Sequence, residues 1–399
     1  MALMLIVFSG LNYQMQLLPM FDQLASLESD RAALGVRVEM NARVASIEQA
    51  LNITSSQWGR GVAQYVDDIP GFDRIMIPVL QNFTSVSAVH MASDHGEELM
   101  LLQTDTGWKN RSSKVEAWGK RQLWQTWSDA YTPTGKEWQE SDYDNRVRPW
   151  FTGALATKSG EIHWTAPYMF IASGLPGMTA ATHWKDETTG HHWVIALDVK
   201  FTDFSHFTNR LTVGKGGYAT VLTEDIKVLG IPKHPNFTND EQIRAGILKE
   251  PEELGLSEVV IVANKWRNKE VSAGESVRFV GAGGDEWIGQ VSSLRVQNQQ
   301  LWIVTVAPFA DFSVLSSRYL MVLGAILGGL VLLATLVTRR LARRLAQPLT
   351  RLVEESERIG RLELDRPVGD IGATVHEMAT LGAAQEKMRQ LLKKSTQEL

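Results

Sequence analysis

The 399-residue sequence contains no cysteine. That absence excludes disulfides, thiolate catalysis and cysteine-ligated metal sites from any account of this chain. An excess of charge of one sign is also missing, since 40 Lys and Arg residues stand against 45 Asp and Glu residues and leave a formal net charge of −5. No global basic field therefore favours nucleic acid as a partner, and no acidic block indicates disorder.

The sequence also lacks the motifs of common active sites. It has no Gly-x-Ser-x-Gly element, and residues 214–217 (Gly-Lys-Gly-Gly) do not have the spacing of a Walker loop. His191 and His192 are adjacent, so in a strand they point to opposite faces and cannot share a metal. His95 and Glu97 have no third ligand in view. We therefore predict no catalytic residue, no metal and no cofactor in this chain.

One long apolar run is present, at residues 319–338. It carries no charge and has about the 20 residues that a helix needs to span a bilayer. Arg318 alone precedes the run, and four arginines follow it: Arg339, Arg340, Arg343 and Arg344. Because cytoplasmic flanks carry the excess of basic residues, we expect residues after 338 on the cytoplasmic side of a bacterial inner (plasma) membrane. Residues 19–318 are then expected on its periplasmic or extracellular side.

An outer region of that length requires an N-terminal signal or anchor. Residues 1–11 are apolar but short, no basic segment precedes them, and Asn12, Gln14 and Gln16 follow at once. We interpret residues 1–18 as part of a first transmembrane helix whose beginning is missing. A short signal-like segment is the alternative.

The sequence of the outer region indicates an α+β fold. Residues 21–52 contain no proline and one glycine, and their apolar residues recur at spacings of three and four, which predicts one long amphipathic helix. Short apolar runs between Gly, Asp, Asn and Pro clusters then predict antiparallel strands in two sets. The first set has residues 85–91, 99–103 and 193–199, and the second has residues 218–222, 228–231, 259–263, 276–280, 286–291 and 301–307. We predict two modules in series, a membrane-distal one at about 60–207 and a membrane-proximal one at about 208–312.

Beyond the membrane run, two helices with coiled-coil spacing are predicted. The first has Leu345, Leu349, Leu352 and Ile359, with Pro348 near its first turn, and the second has Ile371, Val375, Met378, Leu381, Met388 and Leu392 on one face. A non-helical connector at residues 360–370 joins them, so two chains would form a four-helix bundle. This pattern resembles a HAMP domain, here residues 339–394, although His376 replaces the usual Asp before Glu377. Residues 395–399 would begin a helix leading to an output domain.

Residues 143–198 combine one fixed cation, several aromatic rings and a carboxylate. A guanidinium presents a planar fork that fits a carboxylate, so Arg148 is the expected anchor for the carboxylate of a small ligand. Asp198 would take an ammonium group. Aromatic side chains wall such a site and exclude water, and a tyrosine hydroxyl adds polarity. These are Tyr143, Trp150, Phe151 and Tyr168.

The same residues carry a family resemblance. The spacing Tyr-x-x-x-x-Arg-x-Trp-Phe, followed by Pro-Tyr and by an Asp that closes a strand, resembles the ligand motif of double-Cache (dCache) sensor domains that bind amino acids. The resemblance covers most of the outer region and implies two PAS-like modules, with one pocket in the distal module. It implies that six residues face this pocket: Tyr143, Arg148, Trp150, Phe151, Tyr168 and Asp198.

Two points leave the ligand open. Amino-acid-binding members of the family usually carry an Asp where this sequence has Phe170. Three alternatives therefore stay open: a ligand with a less polar amine end, a carboxylate ligand without an amine, or a site of different shape. The alternative to a pocket is a core corner, in which Trp150 is packed and Arg148 pairs with Asp142 or Asp144.

Residues 174–181 and 358–368 are also similar to sensors that precede class III nucleotide cyclases. We predict a homodimeric transmembrane receptor for an amino acid or a related carboxylate or amine, which relays its state to a downstream signalling domain or protein. One alternative is the sensory half of a membrane-bound enzyme, namely a nucleotide cyclase, a diguanylate cyclase or a histidine kinase. Another is a membrane-anchored dimeric scaffold without a ligand.

Overall fold

The computed structural model describes residues 11, 13–58, 65–104, 106–128, 132–313, 317–369 and 376–397. They belong to two compact units. The large unit comprises residues 12–313, and the small unit comprises residues 1–11 and 314–399. Most of the predicted N-terminal membrane or signal segment, residues 1–18, lies outside the described residues.

The large unit begins with a π-helical turn, Tyr13–Leu17, that continues into helix α1, Leu18–Trp58. The predicted amphipathic face is buried, with Val36 and Leu51 each 0% exposed. The helix extends past both ends of the predicted span, and Pro19 lies in its first turn, where proline is tolerated. The predicted long N-terminal helix is confirmed.

The first sheet has nine antiparallel strands in the order β5-β4-β3-β2-β1-β9-β8-β6, with β7 paired to β8. The strands are β1 Val86–Ser93, β2 Glu97–Thr104, β3 Gly107–Lys114, β4 Arg121–Trp127, β5 Pro133–Glu140, β6 His163–Trp164, β7 Tyr168–Met169, β8 Pro176–Lys185 and β9 His192–Lys200. Helix α2, Ile69–Asn82, precedes these strands, and α3, Val115–Trp118, and α4, Pro149–Leu155, lie between them in the sequence.

The central strands of this sheet are buried on both faces, so β9 reads as a continuous apolar run. On one face Val89, Leu99 and Ile195 join the main core with α1 and α2. On the other face small side chains alternate along the strands, among them Ala92 and Ala196, and α4 packs over them. That second face is the one that carries the ionisable residues described below.

The second sheet has five antiparallel strands in the order β11-β10-β14-β13-β12. They are β10 Tyr218–Leu222, β11 Val228–Gly230, β12 Ser276–Val280, β13 Glu286–Val296 and β14 Gln299–Pro308. The associated helices are α5 Thr202–Thr208, α6 Asp240–Gly246 and α7 Ser257–Arg267. The α+β class with two antiparallel sheets is thus confirmed.

One predicted strand, residues 259–263, is wrong, because those residues lie inside α7. The buried residues of this helix are Val259, Val262 and Ala263, at helical spacings of three and four. A short β-branched run does not by itself distinguish a buried strand from a helix.

Helix α1 contacts both sheets of the large unit. Glu48 accepts hydrogen bonds from the Trp164 indole at 3.0 Å and from the Gln297 amide at 2.6 Å. Nearer its start, Asp22 pairs with Arg278 at 2.6 Å. A single rigid helix therefore links the first sheet to the second.

The small unit contains α8, Ser317–Gly360, and α9, His376–Gln397. Within the described residues, the stretch Gly324–Gly360 is the helical segment long and apolar enough to cross a membrane. The predicted membrane run and the first predicted HAMP helix form one continuous helix, since Pro348 lies inside α8. Residues 361–369 are non-helical, as predicted for the connector, whereas Ile371 and Val375 lie outside the described residues.

Candidate ligand-binding site

Four neighbouring strands of the first sheet each place one ionisable side chain on the face that α4 covers. They are His90 in β1, Glu98 in β2, Arg111 in β3 and Asp198 in β9, which we call the ionic network. Their exposures are 4%, 1%, 2% and 4% respectively. His90 lies opposite Met100 of β2 and Ala196 of β9, so Glu98 and Asp198 are its diagonal neighbours on the same face.

His90 bridges the two carboxylates of the network. Its Nδ1 lies 2.9 Å from Glu98 Oε1, and its Nε2 lies 3.0 Å from Asp198 Oδ2. Arg111 Nη2 donates to both oxygens of Glu98, at 3.0 and 2.8 Å. Two cations and two anions therefore compensate one another in a place that water does not reach, as buried charges require.

The pKa values follow from this arrangement. Burial by itself would lower the pKa of His90, but the carboxylates of Asp198 and Glu98 outweigh it and raise the pKa to about 9. Burial would raise the pKa of Glu98, yet Arg111 and His90 hold it below its usual value. At neutral pH His90 is accordingly an imidazolium that donates from both ring nitrogens.

Two of the predicted site residues, Tyr143 and Tyr168, lie at the two ends of the hydrogen bonds that extend from the ionic network. The Tyr143 hydroxyl donates to Glu98 Oε1 at 3.0 Å, and its ring lies 3.7 Å from the guanidinium carbon of Arg111. Tyr168 hydrogen-bonds the Thr179 hydroxyl at 2.6 Å, and Thr179 donates to Asp198 Oδ1 at 2.6 Å. Burial, followed by the nearby carboxylate, raises the pKa of both phenols, so both remain hydroxyls.

Arg148 lies at the start of α4. Pro149 begins that helix and restricts the residue before it to extended backbone, so Arg148 has φ −80° and ψ 143°. Its guanidinium carbon is 5.7 Å from the Tyr143 ring. Asp142 pairs instead with Lys120, and Asp144 with Arg146 at 2.8 Å. Among the described residues, none forms a hydrogen bond or ion pair with the half-buried Arg148 guanidinium.

Trp150 and Phe151 are buried, with exposures of 1% and 2%. The Trp150 ring packs on the His90 imidazole at a centroid distance of 5.2 Å, and Phe151 packs edge-on against Trp150 at 5.6 Å. Ala92 and Ala196 leave the room that these large rings fill. Trp150 therefore covers the ionic network, and Phe151 lies behind it in the core.

Phe170, at the place where an Asp was expected, is also a packing residue. It is 3% exposed and contacts Tyr168 edge-on at 5.2 Å. Its ring occupies the space above Gly177, where a Cβ atom would come within 2.3 Å of Phe170 Cζ. Tyr168 itself also lines a cavity of about 740 Å³, together with Met169 and Thr223.

Sequence reasoning missed four participants: His90, Glu98, Arg111 and Thr179. A signal was present for His90, which lies between apolar residues of β1, whereas Glu98 follows Glu97 and Arg111 lies in the polar strand β3. A charge between apolar residues calls for a partner on the neighbouring strand. Of the predicted residues, the structure places Tyr143, Tyr168 and Asp198 in one hydrogen-bonded group, with Arg148 beside Tyr143 and Trp150 stacked above His90.

No protein-family model matches this chain. Among curated proteins, it is 24% identical over 238 residues to methyl-accepting chemotaxis protein McpB of Bacillus subtilis, covering 60% of this chain and 32% of McpB. It is 34% identical over 89 residues to methyl-accepting chemotaxis protein TlpA of the same organism, covering 22% of this chain and 13% of TlpA. The chain thus spans about a third of McpB and less of TlpA.

Two solved structures are also similar. The ligand-binding domain of Campylobacter jejuni chemoreceptor Tlp3, in complex with 4-methylisoleucine, matches with 12% identity and a TM-score of 0.48, covering 74% of this chain and 94% of that one. The ligand-binding domain of the Pseudomonas aeruginosa amino acid chemoreceptor PctB, with L-Gln, has 18% identity and a TM-score of 0.43, covering 75% and 96%. The curated relatives are chemotaxis proteins, and they do not support the nucleotide cyclase alternative.

Proposed function

We propose that this chain is the sensory part of a bacterial transmembrane receptor that detects a small ligand outside the inner membrane. Residues 19–318 are the outer double-Cache sensor, residues 319–338 cross the membrane, and residues 339–394 form a cytoplasmic HAMP domain. The similarity to chemotaxis proteins over 60% of the chain and the apolar helical stretch within α8 support this proposal. We expect the state of the sensor to pass from α9 to a signalling partner.

A homodimer fits the small unit. Within its two helices, Leu349, Leu381 and Met388 are 52%, 52% and 55% exposed in the single chain. They belong to the half-heptad pattern of the predicted four-helix bundle, in which a second copy covers these side chains. We therefore propose that two chains meet through α8 and α9.

The Arg148 guanidinium carries the proposal for the ligand. It is a half-buried cation beside the rings and hydroxyls of the distal module, and the acidic residues close to it in sequence are engaged elsewhere. A guanidinium takes a carboxylate bidentately, and the interaction strengthens as water is excluded. The ligand we propose is an amino acid or a related small carboxylate, anchored at Arg148 with Tyr143 and Tyr168 nearby.

The site offers fewer partners for the ammonium group of an amino acid than for its carboxylate. Asp198, which was expected to bind an ammonium, already accepts from His90 at one oxygen and from Thr179 at the other. Asp198 is also 4% exposed, so an ammonium group would have to lose its water to reach it. A carboxylate that lacks the amine has no such cost, so we expect it to bind at least as tightly as the matching amino acid.

Calorimetry of the full chain in nanodiscs tests the proposal. The titrants are an amino-acid panel and the same acids without the amine, for example alanine and propionate. We expect binding by some members, a loss of at least about tenfold for Arg148→Ala, which is the removal of one charged hydrogen-bonded pair, and little change for Arg146→Ala. Arg146 is a matched control, since it lies two residues away and pairs with Asp144. Binding that is indifferent to Arg148→Ala would exclude the anchor.

The burial of Trp150 and Phe151 favours one alternative, a membrane-anchored dimeric scaffold without a ligand. In that case the rings next to Arg148 are core and the site never opens. The same titrations decide between the two functions, because a scaffold gives no heat with any member of the panel while the chain still dimerises.

A further inference from the structure

A second group of polar residues lies at the ends of the strands that carry the ionic network. Asp94 and His95 are in the β1–β2 turn, His191 precedes β9, and Glu116 is in α3; we call these four residues the tip cluster. Carboxylate and ring ligand atoms of Asp94, His95 and His191 all lie within 4.8 Å of one another. The two imidazole centroids are 3.8 Å apart, although 96 positions separate them in the sequence (191 − 95).

The backbone holds these side chains together. Asp94 N–H donates to the His192 carbonyl at 3.0 Å, and His192 N–H donates to Asp94 Oδ2 at 3.1 Å, so the two turns are fixed to each other. Asp94 Oδ1 is left buried, and no described residue hydrogen-bonds it. The Nδ1 atom of His191 lies 3.7 Å from it, beyond hydrogen-bond range.

Glu116 adds the support that metal-binding histidines usually have. Its Oε2 lies 3.4 Å from His95 Nδ1. A carboxylate at one ring nitrogen fixes the tautomer and leaves the other nitrogen as a ligand. Both imidazoles are partly exposed, with side-chain exposures of 46% for His95 and 38% for His191, so an ion in solution can reach them.

We propose that Asp94, His95 and His191 bind a divalent transition metal ion, of which zinc fits best. Two imidazole nitrogens and one carboxylate oxygen are ligands that zinc prefers, and a water molecule can complete four-coordination. Two ligands at about 2.1 Å from one ion are at most about 4.2 Å apart. The present separations therefore need only small side-chain rotations. Hard ions such as Mg²⁺ prefer all-oxygen sites and are not expected to bind.

The location gives the metal a structural consequence. An ion at the tip cluster would cross-link the β1–β2 turn to the β8–β9 turn. Strands β1, β2 and β9 leave these turns and carry His90, Glu98 and Asp198. The metal would therefore stiffen the end of the sheet nearest the ionic network. This inference does not depend on the identity of the organic ligand.

The test is titration of the detergent-solubilised full chain with ZnCl₂ after removal of metals by a chelator, with MgCl₂ as the hard-ion control. We expect one zinc per chain, a rise in the thermal unfolding midpoint, and at least a tenfold loss of zinc affinity for both His95→Gln and His191→Gln. The matched control is His206→Gln, since His206 lies 3.8 Å from Asp240 but belongs, among the described residues, to no group of three potential metal ligands.

Zinc affinity that is unchanged in both His95→Gln and His191→Gln, or reduced equally by His206→Gln, would overturn the assignment. Both replaced residues are partly exposed, so circular dichroism should show that the variants fold. The organic-ligand titrations are a separate measurement, and their failure would leave the zinc result standing.

Discussion

At the scale of single residues, the large unit places charge where water is absent and neutralises it internally. His90 is the centre of this arrangement, because both of its ring nitrogens face carboxylates. Removing one member of such a group leaves an uncompensated charge, which is why the network is expected to define one arrangement of β1, β2 and β9. The guanidinium of Arg148 lies outside this balance, which is why we propose it as the ligand anchor.

Asp73 in α2 is a buried carboxyl without such compensation. It is 4% exposed, Asn110 donates to its Oδ1 at 2.7 Å, and no described residue bonds its Oδ2. Burial raises its pKa from 3.8 to about 7, against the opposing effect of the Asn110 hydrogen bond. Because the folded state holds this proton more tightly, its stabilising contribution is complete below pH 3.8 and is lost as the pH rises through about 7.

We expect Asp73→Asn to remove this pH dependence, since an Asn can accept from Asn110 and never ionises. The unfolding midpoint of the variant, relative to the original chain, should rise progressively between pH 3.8 and about pH 7, the interval between the two pKa values. Thermal scans at several pH values measure it. Asp285→Asn, at an exposed hairpin turn, is the control and should show no such trend. A constant offset for Asp73→Asn across the range would contradict the assignment.

At the scale of elements, the packing on strand β8 requires a glycine at position 177. A Cβ atom on Gly177 would lie 2.3 Å from both Phe170 Cζ and the Val199 carbonyl oxygen. The glycine thus lets Phe170 pack directly on the strand, next to Tyr168. Phe170 and Gly177 are therefore one packing unit, which explains why the expected Asp is absent from this site.

Gly177→Ala should destabilise the large unit by about 1–3 kcal/mol, the usual cost of overpacking a filled core. Gly35→Ala in α1 is the matched control, because its Cβ would meet nothing within 4 Å. Alanine is the better helix former, so this control should stabilise by about 0.8–1 kcal/mol. Chemical denaturation measures both changes. Equal effects of the two substitutions would refute the packing of Phe170 on β8.

At the scale of the whole molecule, the proposed orientation puts the large unit outside the membrane and the end of α8 inside. The absence of cysteine makes this directly measurable, since a single introduced thiol has no background. Thr188 and Ser356 are both exposed positions for such a thiol. An impermeant maleimide should label Thr188→Cys in intact cells and Ser356→Cys only after the inner membrane is permeabilised. Labelling of Ser356→Cys in intact cells would reverse the orientation.

The periodic elements of this protein could be predicted from the sequence because their causes are local. Spacings of three and four define the face of α1, and the length of residues 319–338 matches a bilayer. Apolar runs between turn residues predicted β1, β2, β9 and the five strands of the second sheet, whereas β3 to β8 were not predicted. The segment at residues 259–263 was mistaken for a strand because a five-residue apolar run fits both periods. The grouping of Tyr143, Tyr168 and Asp198 was anticipated through a family resemblance rather than through geometry.

Only the tertiary structure decided which charges meet. His90 and Asp198 are 108 residues apart in the sequence and bond because β1 pairs with β9 in one register, which spacing does not reveal. The same register brings His191 to His95, although adjacent His191 and His192 had argued against a metal. Composition and periodicity determine which side chains are available and where they can be buried. The pairing of distant strands determines their partners, since a shift of one residue would send every side chain to the other face.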